Sequence, residues 1–301
     1  MIELLDKARE TLKEGNIGEA LRQYEKINRA DPDNATALSY LADINDRRGE
    51  LDEAAKFLLR LSRSRPDAEV YMKLAQNSLK RRQYDSAKSY AAEAMNLAAG
   101  SNGCADEAHS ILGDATYKSG DIDKAAEIYD AVLASDPHQL RALTGRGTVA
   151  LTRKEYREAV RLFDRALTVH PHHNRAILGK GLAYMGLGRR REGADLVGES
   201  LLIEPDNGWA IATILPVLSE SGKLDEADKA LKRYLEHYPD DHPMLLARAG
   251  VAYALGRLNV SRMVLDKVLE IHPEYPGAAD LDRELKRSVE TAVEAAEPAL
   301  A

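Results

Sequence analysis

Cysteine occurs once in these 301 residues, tryptophan once and phenylalanine twice. With Cys104 alone no internal disulfide can form, and an unpaired thiol fits a reducing compartment. Aromatic residues make up only 5% of the chain against 30% charged, which suits a thin array with a narrow core better than a large globule. Nowhere does the sequence sustain the roughly 18 apolar residues that a membrane-crossing helix needs, so no membrane span is expected. Positive charge is also short. Forty-two Lys and Arg against 49 Asp and Glu leave a net charge of −7, the opposite of the cationic footprint of general nucleic-acid binding. The opening, MIELLDKARETLKEG, lacks the basic start and continuous apolar run of a secretion signal. The chain is therefore expected either to be cytoplasmic or to have lost a leader.

Catalytic signatures are missing too. There is no G-x-S-x-G, no phosphate-binding P-loop and no H-E-x-x-H, so neither catalytic residues nor a cofactor are expected. Gly145-Arg146-Gly147 and Gly179-Lys180-Gly181 look phosphate-like but fall inside helical patterns, where small residues permit close helix packing. His170, His172 and His173 flank Pro171, which splays them apart, and no Cys or carboxylate ladder completes a metal set. They read as helix-end residues, as does His272 before Pro273. Asp121-x-Asp123 opens like a calcium loop, but Ala125 and Ala126 stand where further ligands belong.

What the chain does have is periodicity. Proline recurs every 34 residues at Pro137, Pro171, Pro205, Pro239 and Pro273, with Pro32 and Pro66 as an earlier pair at the same interval. In fixed phase run Gly15, Gly49, Gly120, Gly188, Gly222 and Gly256, with Lys154 in a Gly position. A third ladder is small: Ala20, Ala54, Ala87, Ala125, Ala159, Gly193, Ala227 and Ser261. Four residues later stand large side chains such as Tyr24, Leu58, Tyr129, Phe163, Leu231 and Leu265. Each period predicts two antiparallel helices. Glycine closes the first in the left-handed region, and proline terminates the second. The small residue lets the pair approach closely.

The pattern resembles the tetratricopeptide repeat family, whose signature is W-x2-L-G-x2-Y…A-x3-F…P. Leu112 with Gly113, Leu41 with Ala42, Gly181 with Tyr184, Ala125 with Tyr129 and Ala159 with Phe163 carry the match. The tryptophan position instead holds Leu38, Tyr71, His109, Leu143, Ile177, Ile211 and Leu245. The resemblance implies an all-α, right-handed α-solenoid. Three repeats fall in 1–101, an insertion loop in 102–105 and five repeats in 106–275. A capping helix follows over 276–293, and 294–301 is expected to fray. The insertion reads as a lengthened turn or as a joint between two sub-stacks. Pro216 falls inside a predicted first helix and is expected to kink it.

In the resembled family the first helices line a groove that holds partner segments. Carried onto this chain, the early groove positions (Arg9, Asp43, Lys80 and Asp114 among them) are of mixed charge. The later ones are apolar. Leu178, Leu182, Met185, Trp209, Leu246 and Tyr253, with Arg141 and Arg175 one repeat apart, are the expected partner-binding residues. Lys and Asn, which clamp a terminal carboxylate in some family members, are replaced by Ser39 with Asp43 and by Ser110 with Asp114. The resemblance thus implies a non-enzymatic scaffold that binds a protein or peptide through its C-terminal half. The alternative is a regulatory arm of a larger enzyme such as a glycosyltransferase, and self-association is compatible with either.

Overall fold

The computed structural model describes residues 2–98, 102–205 and 207–296, apart from the side chains of 102, 103, 209 and 289–296. Every regular element among these residues is a helix. Eight hairpins follow one another: α1 (Ile2–Lys13) with α2 (Ile17–Ala30), α3 (Ala35–Arg47) with α4 (Leu51–Ser64), α5 (Ala68–Lys80) with α6 (Tyr84–Leu97), and α7 (Asn102–Lys118) with α8 (Ile122–Ser135). Then come α9 (Leu140–Thr152) with α10 (Tyr156–Val169), α11 (Asn174–Gly186) with α12 (Arg190–Ile203), α13 (Gly208–Glu220) with α14 (Leu224–His237), and α15 (His242–Ala254) with α16 (Leu258–Ile271). A last helix, α17 (Ala278–Ala296), buries Ala278 and Leu285 against the preceding hairpin. The odd-numbered helices up to α15 are the A helices, and the even-numbered ones are the B helices.

The chain divides into two compact bodies, Met1–His170 and Pro171–Ala301. Within each, hairpins stack in chain order, giving the all-α solenoid packing that the ladders imply. The division falls at Pro171, not at the insertion. Asn102–Ala105, expected as a loop, forms the first turn of α7, since Asp106 and Glu107 continue the helical phase back to Asn102. Residues 99–101 lie outside the described residues. α13 runs through Pro216 without a break in its helix. Of the tail expected to fray, 294–296 belong to α17 and 297–301 lie outside the described residues.

The helix ends show how the ladders act. Gly15, Gly49, Gly120, Gly188, Gly222 and Gly256 all have positive φ, between 70° and 97°. Lys154 and Arg82 hold the same position with φ of 59°. The Lys154 N–H still donates to the Leu151 carbonyl at 3.0 Å, and Glu155 N–H to Ala150 at 2.8 Å. The turn is thus formed by a residue whose Cβ resists it. At the other end, A helices are capped by the residue just before them. Asn34 accepts from Ala37 N–H (3.0 Å), Asp67 from Val70 (2.9 Å), Asn207 from Ala210 (3.0 Å) and Asp241 from Met244 (3.2 Å). His173 does the same work, its Nδ1 accepting from Ala176 N–H at 3.3 Å. No group of His, Cys, Asp and Glu able to hold a metal occurs among the described residues.

Core packing follows from the small ladder. Ala20, Ala54, Ala87, Ala125, Ala159, Ala227 and Ser261 are fully buried. The ring of Tyr129 on α8 lies against two A-helix glycines, Gly113 of its own repeat and Gly145 of the next. A Cβ on Gly113 would come 2.6 Å from its Cε1. Phe163 covers Gly147 in the same way, at 2.8 Å. These glycines are therefore contact points between helices, as their place in the helical pattern suggests.

Two stability experiments check these readings. In urea denaturation Gly145→Ala should lose about 1–3 kcal/mol to overpacking against Tyr129, although helix propensity alone favours alanine by about 1 kcal/mol. Lys154→Gly should move the other way, by about 0.5–1 kcal/mol, because the left-handed strain disappears. Separately, His109 on α7 is held below the ordinary imidazole range by burial, with Asp106 pulling weakly the other way. Its folded form prefers the neutral ring, so stability is complete above about pH 6.5, the unfolded value, and declines as pH falls below it. Denaturation midpoints across that range should show a smaller decline in His109→Leu.

Candidate partner-binding surface

The A helices leave one face uncovered by their B partners, and the two bodies treat that face differently. In the first body, polar side chains tie successive repeats together. Lys73 reaches Asp43 at 2.9 Å and Lys80 reaches Asp46 at 2.5 Å. The Tyr117 hydroxyl lies 2.8 Å from that of Thr152. Around Arg141 the ties are densest. Its Nε donates to Glu107 at 2.7 Å and its Nη1 to Asp114 Oδ2 at 2.7 Å. The Asp114 Oδ1 in turn accepts from the buried Tyr129 hydroxyl at 2.6 Å. Burial works against the Arg141 charge, but Asp114 and Glu107 outweigh it and hold the guanidinium above its ordinary pKa.

Arg141 is thus occupied by its own chain, contrary to the expected orienting role toward a partner. The signal was present in the sequence: Glu107 and Arg141 stand 34 residues apart, at equal phase. In such a spacing an acid in one repeat meets a base in the next. A second polar pairing recurs on the B-facing side, where Arg146 binds Asp130 at 2.9 Å and Arg248 binds Asp228 at 3.1 Å. These arginines are half-buried, with stems packed and heads paired, as the sequence position suggests.

In the second body the same A-helix positions are apolar. Leu178 is only 8% exposed and belongs to the main hydrophobic core. Leu182, Met185, Leu246 and Tyr253 are half-buried, each packed against that core on one side. The Tyr253 hydroxyl lies 3.0 Å from that of Ser288 on α17. Arg175 is exposed at the start of α11, where neighbouring groups already engage it. Trp209 lies at the start of α13, and its side chain is outside the described residues. The structure therefore gathers Leu182, Met185, Leu246 and Tyr253 around one core, puts Leu178 beneath the surface and leaves Arg141 in the other body.

One glycine distinguishes this face. Gly113, Gly145, Gly147, Gly181 and Gly208 each press against a neighbour that a Cβ would strike. Gly250 does not: nothing lies within 4 Å of where its Cβ would be. It sits on α15 between Leu246 and Tyr253 in helical spacing, so open space lies between two half-buried apolar side chains. A helix-interior glycine costs about 0.5–1 kcal/mol relative to alanine, and packing within the chain gives no reason for that loss.

Comparison with known proteins identifies the repeat. Tetratricopeptide repeat models match residues 11–76, and residues 72–139, 111–160, 144–204 and 216–279. No curated protein matches the chain in sequence. Among solved structures, PilF of Pseudomonas aeruginosa is 18% identical with a TM-score of 0.58, over 72% of this chain and 97% of that one. A chain of the APC/C hetero-tetramer Cut9–Hcn1 is 16% identical with a TM-score of 0.61, over 94% of this chain but 55% of that one. YrrB, described as a TPR protein with an unusual peptide-binding site, is 22% identical with a TM-score of 0.46, over 59% and 90%.

The Arg141 network has a measurable consequence. Arg141→Met leaves the largely buried Asp114 carboxylate without its cation and should lower unfolding free energy by about 3 kcal/mol, the lower end of the range for breaking a buried pair because the arginine is partly exposed. Urea denaturation of the variant beside the wild type reads this directly. A loss under about 0.5 kcal/mol, typical of a surface pair, would contradict the network's role.

Proposed function

This chain belongs to the tetratricopeptide repeat family, and from that premise we propose that it is a non-catalytic interaction scaffold holding a protein or peptide segment on the A-helix face of its second body. Repeats of this family generally serve protein–protein interaction. The partner places bulky apolar side chains against Leu182, Met185 and Leu246, with Leu178 backing them and Trp209 and Tyr253 as aromatic anchors. Its backbone approaches most closely at Gly250. Arg141 stays on Asp114 and Glu107 and takes no part in the contact. A cytoplasmic setting accords with the single thiol. No helix among the described residues is long and apolar enough to cross a membrane.

The observation that carries this reading is the space beside Gly250. At Gly113, Gly145, Gly147, Gly181 and Gly208 the space is filled by a ring or a backbone of the chain itself. Here an interior glycine lowers helix stability and nothing internal benefits, so an external occupant accounts for it. Apolar residues gathered on a concave or recessed face commonly mark such sites, and where the first body has the ion pairs of Lys73, Lys80 and Arg141 this face presents Leu182, Met185, Leu246 and Gly250.

Gly250→Gln tests the proposal without endangering the fold, since glutamine is a better helix former by about 0.5 kcal/mol and its side chain enters open space. Dodecapeptides selected on the wild type from a displayed random library should carry bulky apolar residues and bind the variant at least tenfold more weakly, with the denaturation midpoint unchanged or raised. Equal affinity for both proteins would remove the face from consideration.

A further inference from the structure

Another recess of the second body lies on the B-helix side. A trough of about 460 Å³ runs between α12 and α14, with Ile214 and Leu218 of α13 as its floor. That volume falls within the range of ordinary ligand pockets. Its origin can be read from the repeat. Three residues after the small ladder, most B helices carry a bulky apolar side chain: Phe57 packs against the core of α1–α3, and Ile128, Leu162 and Val264 are buried to 8%, 3% and 2% exposure, while α2 has Gln23. At this position α14 has Ala230. Across the trough stands Gly198, whose Cβ would touch only Ile214 Cδ1, at 3.9 Å. Gly198 and Ala230 thus line the trough from α12 and α14 without bulk of their own.

The rim is charged, and its charges are unevenly matched. Lys223 lies 3.7 Å from Asp195 and 3.6 Å from Glu226, so that end is internally compensated. Arg191, Lys229 and Arg233 also line the trough, and none has a side-chain ion pair or hydrogen bond among the described residues. Glu199 is the lining carboxylate in the same condition. Beside the trough on α12, Leu202 is 72% exposed. In a chain with net charge −7, three unpaired cations beside an unfilled apolar trough favour an acidic occupant.

We infer that this trough is a second docking site, on the opposite helices from the face proposed above. It takes an acidic segment of a partner protein that inserts one or two bulky aliphatic side chains. The inserted side chain occupies the place that Leu162 fills in its own repeat, lying over Ile214 and Leu218 between Gly198 and Ala230. Flanking carboxylates of the partner engage Lys229 and Arg233, and Leu202 covers the inserted chain from the rim. An anchor of this kind is desolvated on three sides while its charged flanks stay at the edge, the arrangement found at interface hot spots. Ion pairs at such a rim speed encounter and set partner choice more than they set affinity.

The test uses fluorescein-labelled peptides bearing leucines at i and i+4 with glutamates at i−3 and i+7, and matched peptides with lysine in place of glutamate. By fluorescence anisotropy the acidic peptide should bind the wild type at least tenfold more tightly than the lysine peptide, with affinity falling as salt rises. Ala230→Leu restores the bulk found in the other repeats, so it should fold at least as stably and bind at least tenfold more weakly. Lys229→Glu with Arg233→Glu should lose both affinity and salt dependence. Gly250→Gln should bind this peptide like the wild type, which separates this site from the A-helix face. Equal binding of both peptides, undiminished binding by Ala230→Leu, or binding of dodecanoate but of neither peptide would overturn the assignment.

Discussion

The contact between a B-helix side chain and a small residue or glycine on an A helix sets the rest of this structure. Tyr129 shows it best, its ring lying on Gly113 within its own repeat and on Gly145 in the next. One side chain thereby joins three helices. A ring can lie that close only where no Cβ intervenes, so the approach distance is fixed by composition. Because the seam consumes one side of every A helix, the opposite side is left outside the core. Function in such an array is decided by what is written on that remaining side.

The two bodies write different things there. In the first, acids and bases one repeat apart meet each other, as Glu107 and Asp114 meet Arg141. Such a face satisfies its own polar groups and supplies stability to the stack. In the second, Leu182, Met185, Leu246 and Tyr253 lie half-covered against one core, with Leu246 and Tyr253 flanking Gly250 on α15, and a hydroxyl pair, Tyr253 with Ser288, stands where the first body has ion pairs as well. The B-helix trough follows the same logic on the other side: Ala230 stands where most of its counterparts have an aliphatic or aromatic residue, and a space opens beside it. Departures from the repeat, more than the repeat itself, point to ligands.

Most of the fold could be read from the chain. The Gly, Pro and small ladders located eight hairpins and their turns, because each rung answers a local steric demand that only a few residue types meet. Lys154 stood visibly in a glycine position and adopts the glycine conformation. The histidines around Pro171 resolve as helix-end residues, with His173 capping α11. The misses have a common cause. Burial of Leu178, pairing of Arg141 and the division at Pro171 depend on which side chain meets which across repeats, and a one-dimensional period averages over that. The first turn of α7 was hidden because Gly-Ser-Asn-Gly reads as loop chemistry locally, while Asp106 and Glu107 extend the helix from behind. The trough was detectable in principle, as a fourth column of large residues broken by Ala230.

The central claim is that α15 turns one side into the seam and leaves the other open at Gly250. Because Cys104 is the only cysteine, a Cys104→Ser background allows single thiols to be placed at will. Gly250→Cys and Ala252→Cys stand two residues apart on one helix, and Ala252 is fully buried. Maleimide labelling under native conditions should modify the thiol at 250 at a rate near that of a free peptide and leave the one at 252 protected by at least a hundredfold. Comparable rates at the two positions would contradict the account.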